Sequence, residues 1–390
     1  MKHIIFYLII SFILGACKTP HKHSASVSDS IYPLEQAQNI DDFDNYIDSL
    51  EVLPLETTPE SFITYIKKIL LTQNQEIIIL NSTGILVFNQ NGKFSRKIGS
   101  IGRGPEEYIS ARDICLSKDY EHLYVLDCNN QIIIYTLYNG KFSKRIIPEM
   151  EDPDKQYLDF GEICPANNNG FFLFCCNPPN LGDFSKEFYC LIEFDEDGKF
   201  IDKFLPRLDI VFPKDIISQS YNNDYIIRPQ EGDNICYKIT NNGLIPFLAL
   251  DFKDKYIPRN HVFPKPGEGY PIQEYMTSKY YKLPIYIHDT PNHLYFGCCD
   301  PDGQDTYFLF SLKNHKGIRW QNDPNEDEIL LIGASDSTFF YGVYSDYNNY
   351  TRQERQTMKN PLKKYILSQK NINLTNDQQN PVLIKIKFKL

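Results

Sequence analysis

The chain predicts an all-β fold: a six-bladed β-propeller, a ring of six four-stranded antiparallel sheets. Three observations carry that prediction. A unit of apolar run, tight turn and second apolar run recurs: LVFNQNGKF with Asn91-Gly92, IIIYTLYNGKF with Asn139-Gly140, CLIEFDEDGKF with Asp197-Gly198, ICYKITNNGLI with Asn242-Gly243, and a degenerate YFLFSLKNHKGI around Asn314. These turns stand roughly 45 to 70 residues apart, the period range of propeller blades. Aromatic residues make up 14% of the 390, with 27 Tyr and 26 Phe, and such side chains pack well on a pleated surface. At the turns, Asn-Gly and Asp-Gly predict type I′ hairpins, which need φ > 0 at both central residues.

The N-terminus reads as an address. Lys2 and His3 precede an apolar run from Ile4 to Leu14, too short for a membrane-spanning helix, which needs about 20 apolar residues. A short apolar core followed by small residues is the pattern of a secretory signal peptide, here residues 1–16. Leu14-Gly15-Ala16-Cys17 resembles a bacterial lipobox, which implies that Cys17 becomes a lipidated N-terminus. Two or more acyl chains would anchor a protein stably where one is marginal. The polar stretch Lys18–Asp29 lacks apolar periodicity, so Cys17 and a flexible tether are expected over 17–40, ahead of a propeller domain over 41–390.

The body divides into apolar runs of strand length. Blade one takes Ile66–Leu71, Glu76–Leu80, Ile85–Asn89 and Phe94–Ile98; blade two Ala111–Leu116, Leu123–Asp127, Ile132–Thr136 and Phe142–Ile147. Blade three takes Gly161–Cys164, Gly170–Cys176, Tyr189–Phe194 and Phe200–Phe204; blade four Asp215–Ser218, Asp224–Arg228, Ile235–Ile239 and Ile245–Leu250. Blade five takes Leu283–His288, Leu294–Cys298, Thr306–Leu312 and Gly317–Trp320. Three strands remain, Glu328–Gly333, Phe339–Tyr344 and Val382–Leu390, and the N-terminal run Leu50–Leu55 supplies the fourth. A ring must close or leave an exposed edge, so the N-terminal strand is expected to pair with the C-terminal one.

Alternating strand directions also sort the connections. The short Gly turns all join third to fourth strands. The long segments Ser100–Ser110, Pro148–Leu158, Asn177–Glu187, Arg259–Tyr281 and Ser345–Pro381 all fall on the opposite face, where binding groups on a rigid scaffold usually sit. Within the last of these, Leu362, Tyr365 and Ile366 have helical spacing near Pro361, predicting a short helical insertion in the last blade.

The lipobox, SLEVLPLETT, the link Gly99-Ser-Ile-Gly-Arg-Gly-Pro-Glu-Glu-Tyr108 and the closing Asn380-Pro381-Val-Leu together resemble the six-bladed propeller lipoproteins of Bacteroidetes. In that family the link usually reads G-x-G-P-G-E-Y, and Glu106 stands here at the Gly that follows its Pro. The resemblance implies an NHL- or TolB-like propeller in the cell envelope. It brings no activity with it.

A net charge of −10 and a pI near 5.4 argue against nucleic acid, whose binders neutralise phosphates with Lys and Arg. Gly99–Gly104 lacks the Lys-Ser/Thr ending of a phosphate loop and reads as an inter-blade link. The acidic groups Asp300-x-Asp302-x-x-Asp305 and Asp195-Glu196-Asp197 fall at turns and do not follow a calcium-loop pattern. Beyond Cys17 nine cysteines remain, none in C-x-x-C spacing; they read as small buried apolar residues, with a Cys115–Cys128 disulfide as the other option. No nucleophile elbow is present. No metal or cofactor is expected.

These readings predict a lipoprotein of the outer membrane, facing the periplasm and held through Cys17. It would act as a non-catalytic binding or scaffold module for a glycan, peptide or envelope protein. The alternative is a metal-dependent hydrolase or lactonase with carboxylates on the axis. Candidate ligand-binding residues on the loop face are Arg103, Glu106, Glu107 and Tyr108 of the link, Arg228 ending a blade-four strand, and Tyr270 in the Arg259–Tyr281 loop.

Overall fold

The computed structural model describes residues 30–150, 159–167, 169–177, 189–206, 216–230, 233–258, 272–321, 330–344, 360–369 and 380–390. Strands β1 (Ile31–Pro33), β2 (Gln38–Asn39) and β3 (Ile47–Pro54) come first. Blade 1 is β4 (Ile66–Leu71), β5 (Ile77–Asn81), β6 (Gly84–Phe88) and β7 (Phe94–Ile98); blade 2 is β8 (Ala111–Leu116), β9 (His122–Asp127), β10 (Ile132–Thr136) and β11 (Phe142–Ile146). Blade 3 is β12 (Asp159–Pro165), β13 (Phe171–Asn177), β14 (Tyr189–Phe194) and β15 (Phe200–Pro206); blade 4 is β16 (Ile217–Gln219), β17 (Tyr225–Ile227), β18 (Ile235–Thr240) and β19 (Gly243–Asp251). Blade 5 is β20 (Lys282–Asp289), β21 (His293–Cys299), β22 (Asp305–Ser311) and β23 (Gly317–Gln321). Blade 6 is β24 (Leu330–Ser335), β25 (Phe340–Tyr344), β26 (Val382–Phe388) and, as its fourth strand, β3. The expected six-bladed ring is therefore observed. The first strands of successive blades touch one another in turn, which puts them on the axis.

Closure follows the expected route. β3 lies antiparallel to β26 with Leu50 opposite Ile386 and Pro54 opposite Val382. Buried Asn380 clasps the seam: its Oδ1 accepts from Ile63 N at 2.8 Å and its Nδ2 donates to the carbonyls of Glu56 and Ser61, both at 2.9 Å. Three backbone groups are satisfied by one amide, which no apolar residue could do.

Two expectations need correction. The tether was expected to reach residue 40, yet residues 31–40 are folded onto the body. β1 adds in parallel to the outer strand of blade 4 and β2 to that of blade 5. Tyr32, Leu34, Ala37 and Ile40 bury their side chains, and apolar burial outweighs the freedom a tether would keep. The glycine hairpins are also not type I′. In these turns Gly92, Gly140, Gly198 and Gly243 take positive φ while the preceding Asn or Asp does not; Gly92 N donates to Asn89 O and Gly198 N to Asp195 O, whereas Gly140 N reaches one residue further back, to Thr136 O. At the first, Asn89 Oδ1 accepts from both Asn91 N and Lys93 N, which fixes the tighter form.

The core lies between blades. Apolar clusters join blade 1 to blade 2 through Leu70, Val87, Ile114 and Tyr135, and blade 5 to blade 6 through Tyr307, Trp320, Ile384 and Phe43. Phe43 meets Trp320 edge-to-face at 4.9 Å and fastens the chain between β2 and β3. Two short helices are described, α1 (Ile272–Thr277) and α2 (Pro361–Ser368). The second is the expected insertion in blade 6, capped by Asn360, whose Oδ1 accepts from Lys363 N. Cys115 and Cys128 are both free thiols and Cys115 sits opposite Tyr124, so the Cys115–Cys128 bond is not formed.

Candidate functional site

Strand order defines two faces. On the turn face the described first-to-second and third-to-fourth turns are short; the other, the link face, carries the inter-blade links. The link between blades 1 and 2, Gly99–Ser110, is described throughout and is unusually well fixed. Gly99 has φ +62, and a Cβ there would stand 2.6 Å from the Tyr135 ring and 2.9 Å from that of Tyr108, so only glycine lets the chain pass. The link then doubles back, with Tyr108 N donating to Ser100 O at 3.1 Å and Gly102 N to Tyr108 O at 2.9 Å. Glu107 curls inward, its Oε2 accepting from Gly104 N at 2.8 Å. From blade 2, Arg145 donates to the carbonyls of Gly104, Pro105 and Glu107, and Tyr135 Oη donates to Glu106 O at 2.7 Å.

This bracing shapes a cavity of about 630 Å³ whose lining includes Ser100, Pro105, Glu106, Tyr135, Lys141 and Phe142. The Glu106 carboxylate and the Lys141 ammonium are exposed, and neither makes a hydrogen bond or ion pair among the described residues. The cavity thus offers one free anion, one free cation and an apolar floor on a rigid frame, the composition of a preformed ligand site.

Of the residues expected from sequence, Glu106 and Glu107 line the cavity and Arg103 is exposed on the same link. Tyr108 is buried; its hydroxyl accepts from Ile85 N at 3.2 Å, and burial pushes its pKa up to about 12. Arg228 lies far from this group in the ring, buried just beyond β17 of blade 4. Tyr270 and Cys17 fall outside the described residues. Sequence reasoning missed Lys141, in the third-to-fourth turn of blade 2, and Phe142 and Arg145 of β11, which follow the link only after three further strands and carry no motif.

The axis carries a different set of polar groups, also missed. Lys68 of β4 meets Asp113 of β8 at 2.7 Å, and Asp113 Oδ2 accepts from Ile163 N of β12 at 2.9 Å. Glu162 of β12 accepts from Ile216 N and Ile217 N of blade 4 at 2.9 and 2.8 Å. Burial, then the like charge of Asp113, raises the Glu162 pKa. Burial pushes the Lys68 ammonium down, but Asp113 and Glu162 outweigh it and leave its pKa raised. Nearer the turn face, Gln219 of blade 4 reaches across the ring to blade 1. Its amide pairs with Leu71, Oε1 accepting from N and Nε2 donating to O, both at 3.0 Å. Asp289 of blade 5 takes Lys238 Nζ at 2.8 Å and Ser220 Oγ at 2.6 Å from blade 4. Asp113 and Glu162 are thus engaged in joining blades, and Lys68 already occupies the position a metal ion would take beside Asp113. A separate trio, Asp119, Glu121 and His122, could each offer an atom to one ion, in an exposed turn of blade 2 where Asp119 Oδ1 already accepts from Ser117 Oγ and Glu121 N.

A family model described as a domain of unknown function, DUF4934, matches residues 30–387. No curated protein matches the sequence. Among solved structures, a Bacteroides fragilis protein provisionally described as exported aligns at 14% identity and TM-score 0.67, covering 93% of this chain and 100% of that one. The PQQ-bound form of an aldose sugar dehydrogenase from Streptomyces coelicolor aligns at 10% identity and TM-score 0.45, covering 87% and 99%. The first likeness, over the whole of both chains, is one of fold.

Proposed function

The chain belongs to the DUF4934 family, and we propose that it is an envelope-anchored lipoprotein whose propeller is a non-catalytic binding or scaffold module. Its partner is a glycan, a peptide or an envelope protein, recognised where the blade 1–2 link of the link face meets the third-to-fourth turn of blade 2. The observation that carries this reading is the cavity beside the Gly99–Ser110 link, where Glu106 and Lys141 stand unengaged over Tyr135 and Phe142 on a braced frame. An aromatic floor with flanking polar groups suits a sugar ring or an extended peptide. The anchor is Cys17, in the outer membrane and facing the periplasm; the lipobox-like Leu14–Cys17 and the exported description of the similar Bacteroides fragilis protein accord with this.

Two experiments test the reading. Glycan and peptide libraries presented to the full chain in detergent should retain a ligand that Phe142→Ala and Glu106→Gln lose without loss of folding. Retention unaffected by either variant would refute the site. Labelled palmitate should enter the wild-type chain and not Cys17→Ser; equal labelling would refute the anchor.

A further inference from the structure

Arg228 follows β17 at the link-face end of blade 4, where its backbone N–H donates to Ile216 O at 3.0 Å. Its side chain is only 3% exposed. The guanidinium has five N–H donors, yet the hydrogen bond it makes is from Nη1 to the carbonyl of its own neighbour, Pro229, at 3.2 Å. Among the described residues Nε is buried without a hydrogen-bond partner, and no carboxylate of theirs stands within ion-pair distance. Asp233 is one candidate, since its charge and that of Arg228 both act on the buried Cys236 thiol. Its Oδ1, however, accepts from Asn234 N at 2.7 Å and Ile235 N at 3.4 Å.

A buried cation without a counter-charge is among the most costly arrangements a fold can hold. Two other buried cations of this protein are paired, Lys68 with Asp113 and Lys238 with Asp289, while buried Lys282 donates to the Ser278 carbonyl. Arg228 is a buried guanidinium at the link-face end of blade 4. We propose that Arg228 is the anion-recognising group of a second binding site, at the link-face end of blade 4, for a small carboxylate-bearing molecule. The Nε edge of a guanidinium presents two parallel N–H groups that match the two oxygens of a carboxylate. One positive charge balances one negative charge, and Asp233 nearby disfavours a phosphate dianion.

The inference extends the binding role but stands on other blades than the Glu106 cavity, so either can fail alone. The test is the melting temperature of the full chain in detergent, titrated with acetate, glucuronate and inorganic phosphate at constant ionic strength set by chloride. Both carboxylates should raise it saturably, glucuronate more if the carboxylate comes from a sugar acid, and phosphate should do less. Arg228→Met should remove the response and, in carboxylate-free buffer, melt no lower than wild type, because an uncompensated buried charge has gone. Arg228→Lys keeps the charge without the fork and should weaken apparent affinity about tenfold. Should Arg228→Met fail to fold, the lysine variant and the ¹⁵Nε resonance of Arg228, which should shift with acetate in the wild-type chain, carry the decision. A wild-type melting temperature indifferent to carboxylates, or a response undiminished in both variants, would overturn the proposal.

Discussion

The axis and the blade 1–2 link are both rich in charge, but their charges do different things. On the axis Asp113, Glu162 and Gln219 each bridge two blades through backbone amides, and Lys68 is matched by Asp113. At the link, backbone carbonyls are held by Arg145 and Tyr135, and the Glu106 and Lys141 side chains have no partner among the described residues. A central channel invites the expectation of a ligand there. In this ring the centre is a fastening and the spare chemistry sits toward the rim. Polar residues with every hydrogen bond satisfied specify an assembly, whereas unsatisfied ones on a rigid frame are available to a partner.

The contrast can be broken most severely by opening the ring. Deleting Ile47–Pro54 would strip β26 of its neighbour along seven paired positions and expose an apolar edge, so an insoluble or molten product is expected by near-UV circular dichroism. Next in size is Glu162→Ala, which strands the amides of Ile216 and Ile217 and leaves a cavity. A loss of roughly 3 kcal/mol or more is expected in urea unfolding.

The pH dependence sharpens the same point. Glu162 is raised to about 7 in the fold, so its contribution to stability is complete below its unfolded value and is lost as pH rises toward 7. His288, a buried axial residue, is pushed down to about 4, chiefly by burial. Its contribution is complete above about 6.5 and is lost as pH falls toward 4, by about 3 kcal/mol for the full shift. Unfolding of Glu162→Gln should therefore lose the alkaline-side slope, while His288→Phe should lose the acid-side one.

Arg145→Ala should cost about 1–2 kcal/mol, because link carbonyls regain water in part, and should loosen the cavity enough to weaken ligand retention. Smallest of all, Glu106→Gln should change stability by under about 0.5 kcal/mol while reducing binding. An axial substitution as mild as that one would blur the distinction between the two regions.

Much of this fold is legible in the sequence because period-2 apolar runs between Gly turns leave few alternatives to short strands. Even the three-strand remainder after blade 5 pointed to β3 as the missing fourth. What escaped were elements too short for periodicity. β1 and β2 hold three and two residues, and the strands they pair with belong to blades 4 and 5, more than two hundred residues away. The axial set was invisible as a motif since its members come one per blade. The clue was a charge set among apolar residues in three innermost strands, Lys68 in IKKILL, Asp113 in ARDICL and Glu162 in DFGEICP. The link was singled out by its glycines and acids, but its bracing by Arg145 depends on a strand register that local sequence does not encode.

Native-state hydrogen exchange compares the two regions directly within one molecule. The amides of Leu71, Ile163, Ile216 and Ile217, each held by an axial side chain, should exchange only through global unfolding, with the same free energy and the same urea dependence. Gly104 N, held by Glu107 at the rim, should exchange through a local opening of lower free energy. Axial amides that opened locally, as readily as Gly104, would contradict the claim that the centre of this ring is its fastening.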